Sequence, residues 1–239
     1  EREAKTIATL EHPAIVPVYD FGEEEGQPYL VMRYMPGGSL AGRLKEGPRS
    51  IAEAAEILRR IGSALDEAHV KGVIHRDLKP ANILFDHYGN SYLADFGIAK
   101  LTADTATLTG NAVVGTPAYM SPEQARGEAG LDGRSDIYAL GAILFEMLTG
   151  KQPYQADTPM GLAIKHITEP VPHILETKPG LPPDCEAVIM RAMAKERDER
   201  FQRASELVET LRQTVESSPA QSGDIEEARA TPVVLEEPL

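Results

Sequence analysis

His75-Arg76-Asp77-Leu78-Lys79-Pro80-Ala81-Asn82, followed by Asp95-Phe96-Gly97, decides how this chain is read. Asp77 is a carboxylate able to sit beside an attacking hydroxyl. Asn82 and Asp95 are oxygen donors of the kind hard Mg²⁺ prefers, and Lys79 is a cation for a moving phosphate. Phosphoryl transfer from ATP asks for this set, because it depends on metal ions held on the phosphates and a hydroxyl aimed at the γ-phosphorus. An Asp five residues before an Asn is by itself a loop coincidence, and Asp-Phe-Gly by itself is an ordinary turn. Eight ordered residues, with a second metal motif 18 positions after the first Asp, are not chance.

Outward from this run, the pattern predicts small strands and tight loops carried on helices. Asn82–Phe85 and Ser91–Ala94 read as short β pieces around the turn-like Asp86-His87-Tyr88-Gly89-Asn90. Upstream, Ser50 with Glu53 forms a capping box ahead of Ala54, Leu58, Ile61, Leu65 and Ala68, one apolar stripe of a long helix. Two apolar runs, Ile15–Tyr19 and Tyr29–Met32, flank the polar Gly22–Gln27 and predict a hairpin. Residues 1–10 read as the end of a helix, stopped near His12-Pro13.

Downstream, residues 98–122 show no period, and a loop of that length inside a compact domain is usually functional or disordered. Ile137–Leu148 is apolar nearly all round, with Asp136 at its start and Gly150 just past its end, which predicts a buried central helix. Further helices are expected near Pro159–Thr168 (with Thr158 as cap), Asp184–Ala194 and Ser205–Thr214. From about Val215 the composition is that of a disordered tail.

Composition bounds the function. The chain has 239 residues, enough for one medium-sized domain of one or two lobes. A net charge of −13 argues against nucleic acid as partner. Its single cysteine, Cys185, excludes an internal disulfide framework, suits a reducing compartment, and sits in an apolar helical pattern with Val188, Ile189 and Ala192. No stretch reaches the roughly 18 apolar residues of a membrane span. The chain opens without Met, so the reading expects no signal peptide and a piece of something longer.

On these motifs the chain resembles the eukaryotic-like protein kinases, and Lys79 two places after Asp77 is similar to their serine/threonine branch. The resemblance covers residues 1 to about 214. It implies an α+β, bilobal kinase-like fold. Residues 1–35 would be a remnant of the small β lobe, 36–214 the mainly helical large lobe, and 215–239 an acidic linker or tail. It also implies ATP and Mg²⁺ as cofactors and Ser/Thr-bearing proteins as substrates. Asp77 takes the place of the catalytic aspartate, Lys79 of the γ-phosphate lysine, and Asn82 and Asp95 of the metal ligands. Met32 stands at the gatekeeper position, and Arg33-Tyr34-Met35 at the hinge whose backbone holds adenine. Glu3 stands where the regulatory helix carries its glutamate. Gly115-Thr116-Pro117-Ala118-Tyr119 resembles the segment that docks the substrate backbone, with the Thr116 hydroxyl bonding near the catalytic Asp and Lys. Ser121-Pro122-Glu123 closes that segment, with Ser in place of the commoner Ala, and Arg200 is the expected ion-pair partner of Glu123. Arg76 beside Asp77 suggests control by phosphorylation in the activation segment, at Thr107 or Thr109.

One departure stands at the front. No Gly-x-Gly-x-x-Gly occurs, and no Val-Ala-x-Lys strand precedes Glu3, so the chain alone is expected to transfer little phosphate. Two other functions compete. A small-molecule phosphotransferase shares the catalytic Asp and a metal Asp but lacks a substrate segment closed by Ser-Pro-Glu. A non-catalytic kinase-like module fits the missing phosphate clamp but not the intact Asp77, Asn82 and Asp95. Motifs such as Pro80-Ala81-Asn82 and Ser121-Pro122-Glu123-Gln124-Ala125-Arg126-Gly127 have a bacterial style. The expected location is cytoplasmic, or the cytoplasmic face of a membrane if the chain belongs to a longer parent.

Overall fold

The computed structural model describes residues 10–24, 27–96 and 117–217. Glu3, Thr107, Thr109, Thr116, the helix expected before residue 10 and the tail after residue 217 lie outside them. Strands β1 (Val18–Glu24) and β2 (Gln27–Met32) form an antiparallel hairpin, with Phe21 opposite Leu30 and Val18 opposite Met32. The first strand is displaced from the expected Ile15–Tyr19. Pro17 has no N–H to give a ladder, and it divides the apolar run in two. Before it, Ala14, Ile15 and Val16 are buried and run along Ser91–Leu93 instead, with Val16 N–H donating to Leu93 O (2.9 Å) and Leu93 N–H to Ala14 O (2.8 Å). After it, the strand continues through polar residues to Glu24.

A short helix α1 (Leu40–Leu44) leads to α2 (Ile51–Val70), whose Ser50 cap accepts from the Glu53 N–H. Only half of the expected capping box forms, since the Glu53 carboxylate lies 3.7 Å from Arg49. Ala54, Leu58, Ile61, Leu65 and Ala68 are fully buried, as the stripe requires. Strands β3 (Ile83–Phe85) and β4 (Ser91–Leu93) make a second small hairpin. Gly37 docks on it: its N–H donates to Phe85 O at 2.9 Å, and a Cβ there would lie 2.4 Å from Asp86 O, so only glycine fits.

The remaining chain is helical: α3 (Pro122–Ala125), α4 (Arg134–Thr149), α5 (Pro159–Thr168), α6 (Ile174–Thr177), α7 (Pro183–Ala192) and α8 (Ala204–Ser217). Helix α4 is the core element, with thirteen of its sixteen residues buried, and it is longer at both ends than its apolar run. Helix α8 packs on α2 and is capped from there, because Asp66 accepts from the Ala204 and Ser205 N–H groups. It runs to Ser217, past the expected lobe boundary at 214. Cys185 is fully buried, and burial pushes its thiol above the ordinary pKa, as an unreactive structural cysteine requires. The architecture is a small sheet-bearing lobe on a larger helical one.

The two lobes differ in support. Among the described residues the β1–β2 hairpin has no further strand, and Tyr19, Phe21, Tyr29 and Val31 are exposed. A two-stranded ribbon is marginal without a packed face. Amides of β1 and β2 are expected to exchange hydrogen through local opening, whereas those of α4 exchange only on global unfolding. Equal protection of both elements by hydrogen-exchange mass spectrometry would contradict this division.

Candidate active site

The loop 75–82 is held at its base by α4. Asp136, 1 % exposed, accepts from the backbone N–H of His75 (2.8 Å) and of Arg76 (3.0 Å), and pairs with His69 Nε2 (2.7 Å). Burial alone would raise its pKa, but His69 and His75 outweigh it and keep the carboxyl below its ordinary value. His75 is fully buried, and burial lowers its pKa, so the ring is neutral. With the Asp77 N–H donating to Nδ1 (3.3 Å), the proton belongs on Nε2, which gives it to Ala94 O at 2.9 Å.

Ala94 joins the two motifs. Its carbonyl accepts the hydrogen bond from His75 Nε2, and its N–H donates to Asn82 O at 2.9 Å. Asp95 follows immediately, so the loop of Asn82 and the start of Asp95-Phe96 are locked side by side. Phe96 packs its ring 4.9 Å from that of His75. Arg76 (φ 63°) and Asp95 (φ 57°) both adopt left-handed backbone. Such conformations cost about 1 kcal/mol or more each for non-glycine residues and persist only when neighbours hold them. Here Asp136 and Ala94 do so.

Within the loop, Lys79 Nζ lies 2.7 Å from Asp77 Oδ2. Asn82 Nδ2 donates to Asp77 O at 2.9 Å and stands 3.5 Å from Asp77 Oδ2. Asp77, Lys79 and Asn82 therefore form one cluster, and the Asn82 amide, having turned its nitrogen to Asp77, has its Oδ1 to offer a cation. The donor set of Asn82 and Asp95 fits Mg²⁺, which takes one or two protein oxygens and completes its shell with phosphate and water. Among the described residues no group of three His, Cys, Asp or Glu side chains is arranged to cage a metal. Met32 and Asp95 line a common cavity under the hairpin, with Val18, Leu30 and Phe96. Arg33 and Tyr34 project into solvent, and Met35 is buried against Val16 and Ala94.

The segment after residue 116 abuts this loop. Pro117–Tyr119 make a 3₁₀ turn, and the Tyr119 hydroxyl donates to Glu146 at 2.5 Å. Ser121 caps α3, and Gln124 Nε2 donates to Arg76 O at 2.9 Å. Glu123 meets Arg200 in a two-pronged pair of 2.7 and 2.8 Å and also accepts from Ser135 Oγ at 2.7 Å. Burial pushes the Glu123 carboxyl upward, but the Arg200 bonds and charge and the Ser135 hydroxyl prevail and hold it at about 2. His69, Asp136 and Gln124 were not singled out as site residues from sequence. The signal available was Asp136 itself, since a carboxylate opening a wholly apolar helix must find donors inside the protein.

The protein kinase domain family matches residues 1–216, and the chain belongs to it. It is similar to the serine/threonine-protein kinase PrkC of Bacillus subtilis, at 37% identity over 245 residues covering 100% of this chain and 38% of that protein. It is similar to PknB of Mycobacterium leprae at 43% over 213 residues, covering 86% of this chain and 34% of that one. A probable PknB of Lactococcus lactis is 42% identical over 209 residues, 87% of this chain and 33% of its own length. These relatives place it among the bacterial Hanks-type serine/threonine kinases. The chain spans about a third of their length.

The Glu123–Arg200 pair gives a pH-dependent stability. Because the folded pKa of Glu123 is depressed, its contribution is complete above about pH 4.5 and is lost as the pH falls toward about 2. Glu123→Gln should flatten that acid limb in urea melts. It should also lower stability at pH 7 by about 3–5 kcal/mol, because Arg200 is left buried without its counter-charge. An unchanged acid limb would show that the pair does not set it.

Proposed function

We propose that the chain is the catalytic part of a serine/threonine protein kinase, transferring the γ-phosphoryl group of ATP to Ser/Thr hydroxyls of proteins. The observation that carries this is the joining of Asp77, Lys79 and Asn82 in one hydrogen-bonded cluster, tied through Ala94 to Asp95. Asp77 orients the incoming hydroxyl and accepts its proton as the new oxygen–phosphorus bond forms. The bond from the γ-phosphorus to the bridging oxygen breaks, and ADP leaves with that electron pair. Lys79 neutralises charge on the transferring group. Asn82 and Asp95 would hold Mg²⁺, which supplies charge neutralisation on the phosphates. Met32, Arg33 and Met35 would border the adenine with backbone groups, and Glu3 would take part in the phosphate clamp. Thr116 would bond near Asp77 and Lys79 to seat the substrate. Protein substrates, ATP and a cytoplasmic location follow from this reading. No helix among the described residues is long and apolar enough to cross a membrane.

Two measurements in the full-length protein test it. Asp77→Asn should lower kcat by about a hundredfold or more, the scale of a lost general base, while nucleotide still binds. Asp95→Ala should also weaken Mg²⁺-dependent nucleotide binding. Identical profiles would mean the roles are misassigned, and nucleotide binding without any transfer by the wild type would favour the non-catalytic module.

Regulation is part of the same reading. A phosphate on Thr107 or Thr109 brings about −1.5 to −2 charge and three acceptors for nearby cations, among which Arg76 adjoins the base. The Thr107→Ala/Thr109→Ala double variant should lose most activity, and mass spectrometry after incubation with ATP and Mg²⁺ should find phosphate between residues 98 and 122. Full activity of that variant would remove the switch from this segment.

A further inference from the structure

Gln124 is the third residue of α3, and its side chain serves two structures at once. Its Oε1 accepts from the Ser121 N–H at 3.0 Å and the Ser121 hydroxyl at 3.1 Å, while the Gln124 N–H reaches Ser121 Oγ at 3.4 Å. That is a capping box, and Glu serves in this position of the box as well as Gln. Its Nε2 makes a further bond, to the Arg76 carbonyl at 2.9 Å. Only an amide can make it, because a carboxylate has no N–H to offer a carbonyl.

The Arg76 carbonyl and the Asp77 N–H belong to one peptide unit, which is planar and turns as a body. Its nitrogen end is held by His75 Nδ1 at 3.3 Å, and its carbonyl end by Gln124. The preceding unit is pinned by Asp136, which accepts the Arg76 N–H at 3.0 Å. Arg76 itself sits at φ 63°, so the loop is under a torsional cost and relaxes wherever a restraint is removed. Among the described residues, Gln124 restrains this unit from the substrate-side segment, which also includes the Pro117–Tyr119 turn.

We propose that Gln124 is a positioning residue for Asp77, fixing the peptide plane from which the catalytic carboxylate projects and tying its aim to the seating of segment 117–124. The role rests on the kinase reading above. It explains why an amide stands where the cap alone would accept a carboxylate.

The test is Gln124→Glu in the full-length protein, with Gln124→Met as a second variant that removes the bond without adding charge. Gln124→Glu keeps the capping box and is expected to lower the melting temperature by only a few degrees. It should lower kcat about tenfold, the scale of one buried acceptor left unpaired, with the KM for Mg·ATP unchanged. Hydrogen exchange at the Arg76 and Asp77 amides should quicken in both variants, with α4 unaffected. Ser50→Ala, which removes the cap of the distant α2, controls for general stability and should leave kcat and this exchange unaltered. A wild-type kcat in Gln124→Glu, or unchanged exchange at residues 76 and 77, overturns the proposal. A wild-type protein that transfers no phosphate overturns the kinase reading instead, and the exchange arm still decides whether Gln124 holds the loop.

Discussion

Removing a carboxylate from water is costly unless donors converge on it, and the active-site loop is built around one such convergence. Asp136 is 1 % exposed and takes hydrogen bonds from two backbone N–H groups of the loop and from His69. Neither backbone donor can be lost without stranding the charge, so the loop cannot leave α4 cheaply. The left-handed turn at Arg76 follows directly on these two anchored N–H groups and redirects the chain toward Asp77. Everything that follows in the loop, from the Asp77–Lys79 contact to the Asn82 amide, inherits its position from this anchor.

The same turn of α4 also serves the substrate side. Ser135, next to Asp136, donates to Glu123, whose carboxylate is gripped by Arg200. Arg200 spends its other donors on the carbonyls of Ala194, Arg134 and Lys195, so a fully buried guanidinium has no unmet N–H. Two adjacent residues on one rigid helix thus hold two segments that are distant in sequence, the catalytic loop and α3. Since α4 is packed on nearly every side, neither segment can shift by sliding the helix beneath it.

Much of this was legible in the sequence because the motifs are local and ordered. The runs around Asp77 and Asp95 name the candidate base, lysine and metal donors, and the apolar stretch from Ile137 marks the core helix without tertiary information. The Glu123–Arg200 contact was legible only through resemblance, since no local rule links residues so far apart. What escaped were side chains whose role is set by distant backbone. His69, Asp136 and Gln124 look like a terminal histidine, a helix-dipole aspartate and a surface glutamine until the loop is laid against them. The first strand was misplaced for a different reason. Pattern counting treats Ile15 to Tyr19 as one apolar run, while Pro17 lets its two halves pair with different partners.

The two sides of the site also differ in how firmly they are held. Asp77, Asn82 and Asp95 stand on loops bonded to α4 and to each other through Ala94, whereas Met32 and the residues after it leave a hairpin with an exposed apolar surface. Catalysis by positioning needs base and metal ligands fixed to a fraction of an ångström, so rigidity belongs on the large-lobe side. Nucleotide entry and release need the opposite, a cover that opens at low cost. The Gly37-Gly38 stretch joins the two, bonded to β3 at Phe85 on one side and leading back to the hairpin on the other. On the kinase reading proposed above, any closing of the hairpin over a nucleotide would be absorbed between Met32 and Gly37, where Arg33, Tyr34 and Pro36 are exposed and Met35 is packed. Bending there would move the hairpin while leaving undisturbed the hydrogen bonds around Asp77.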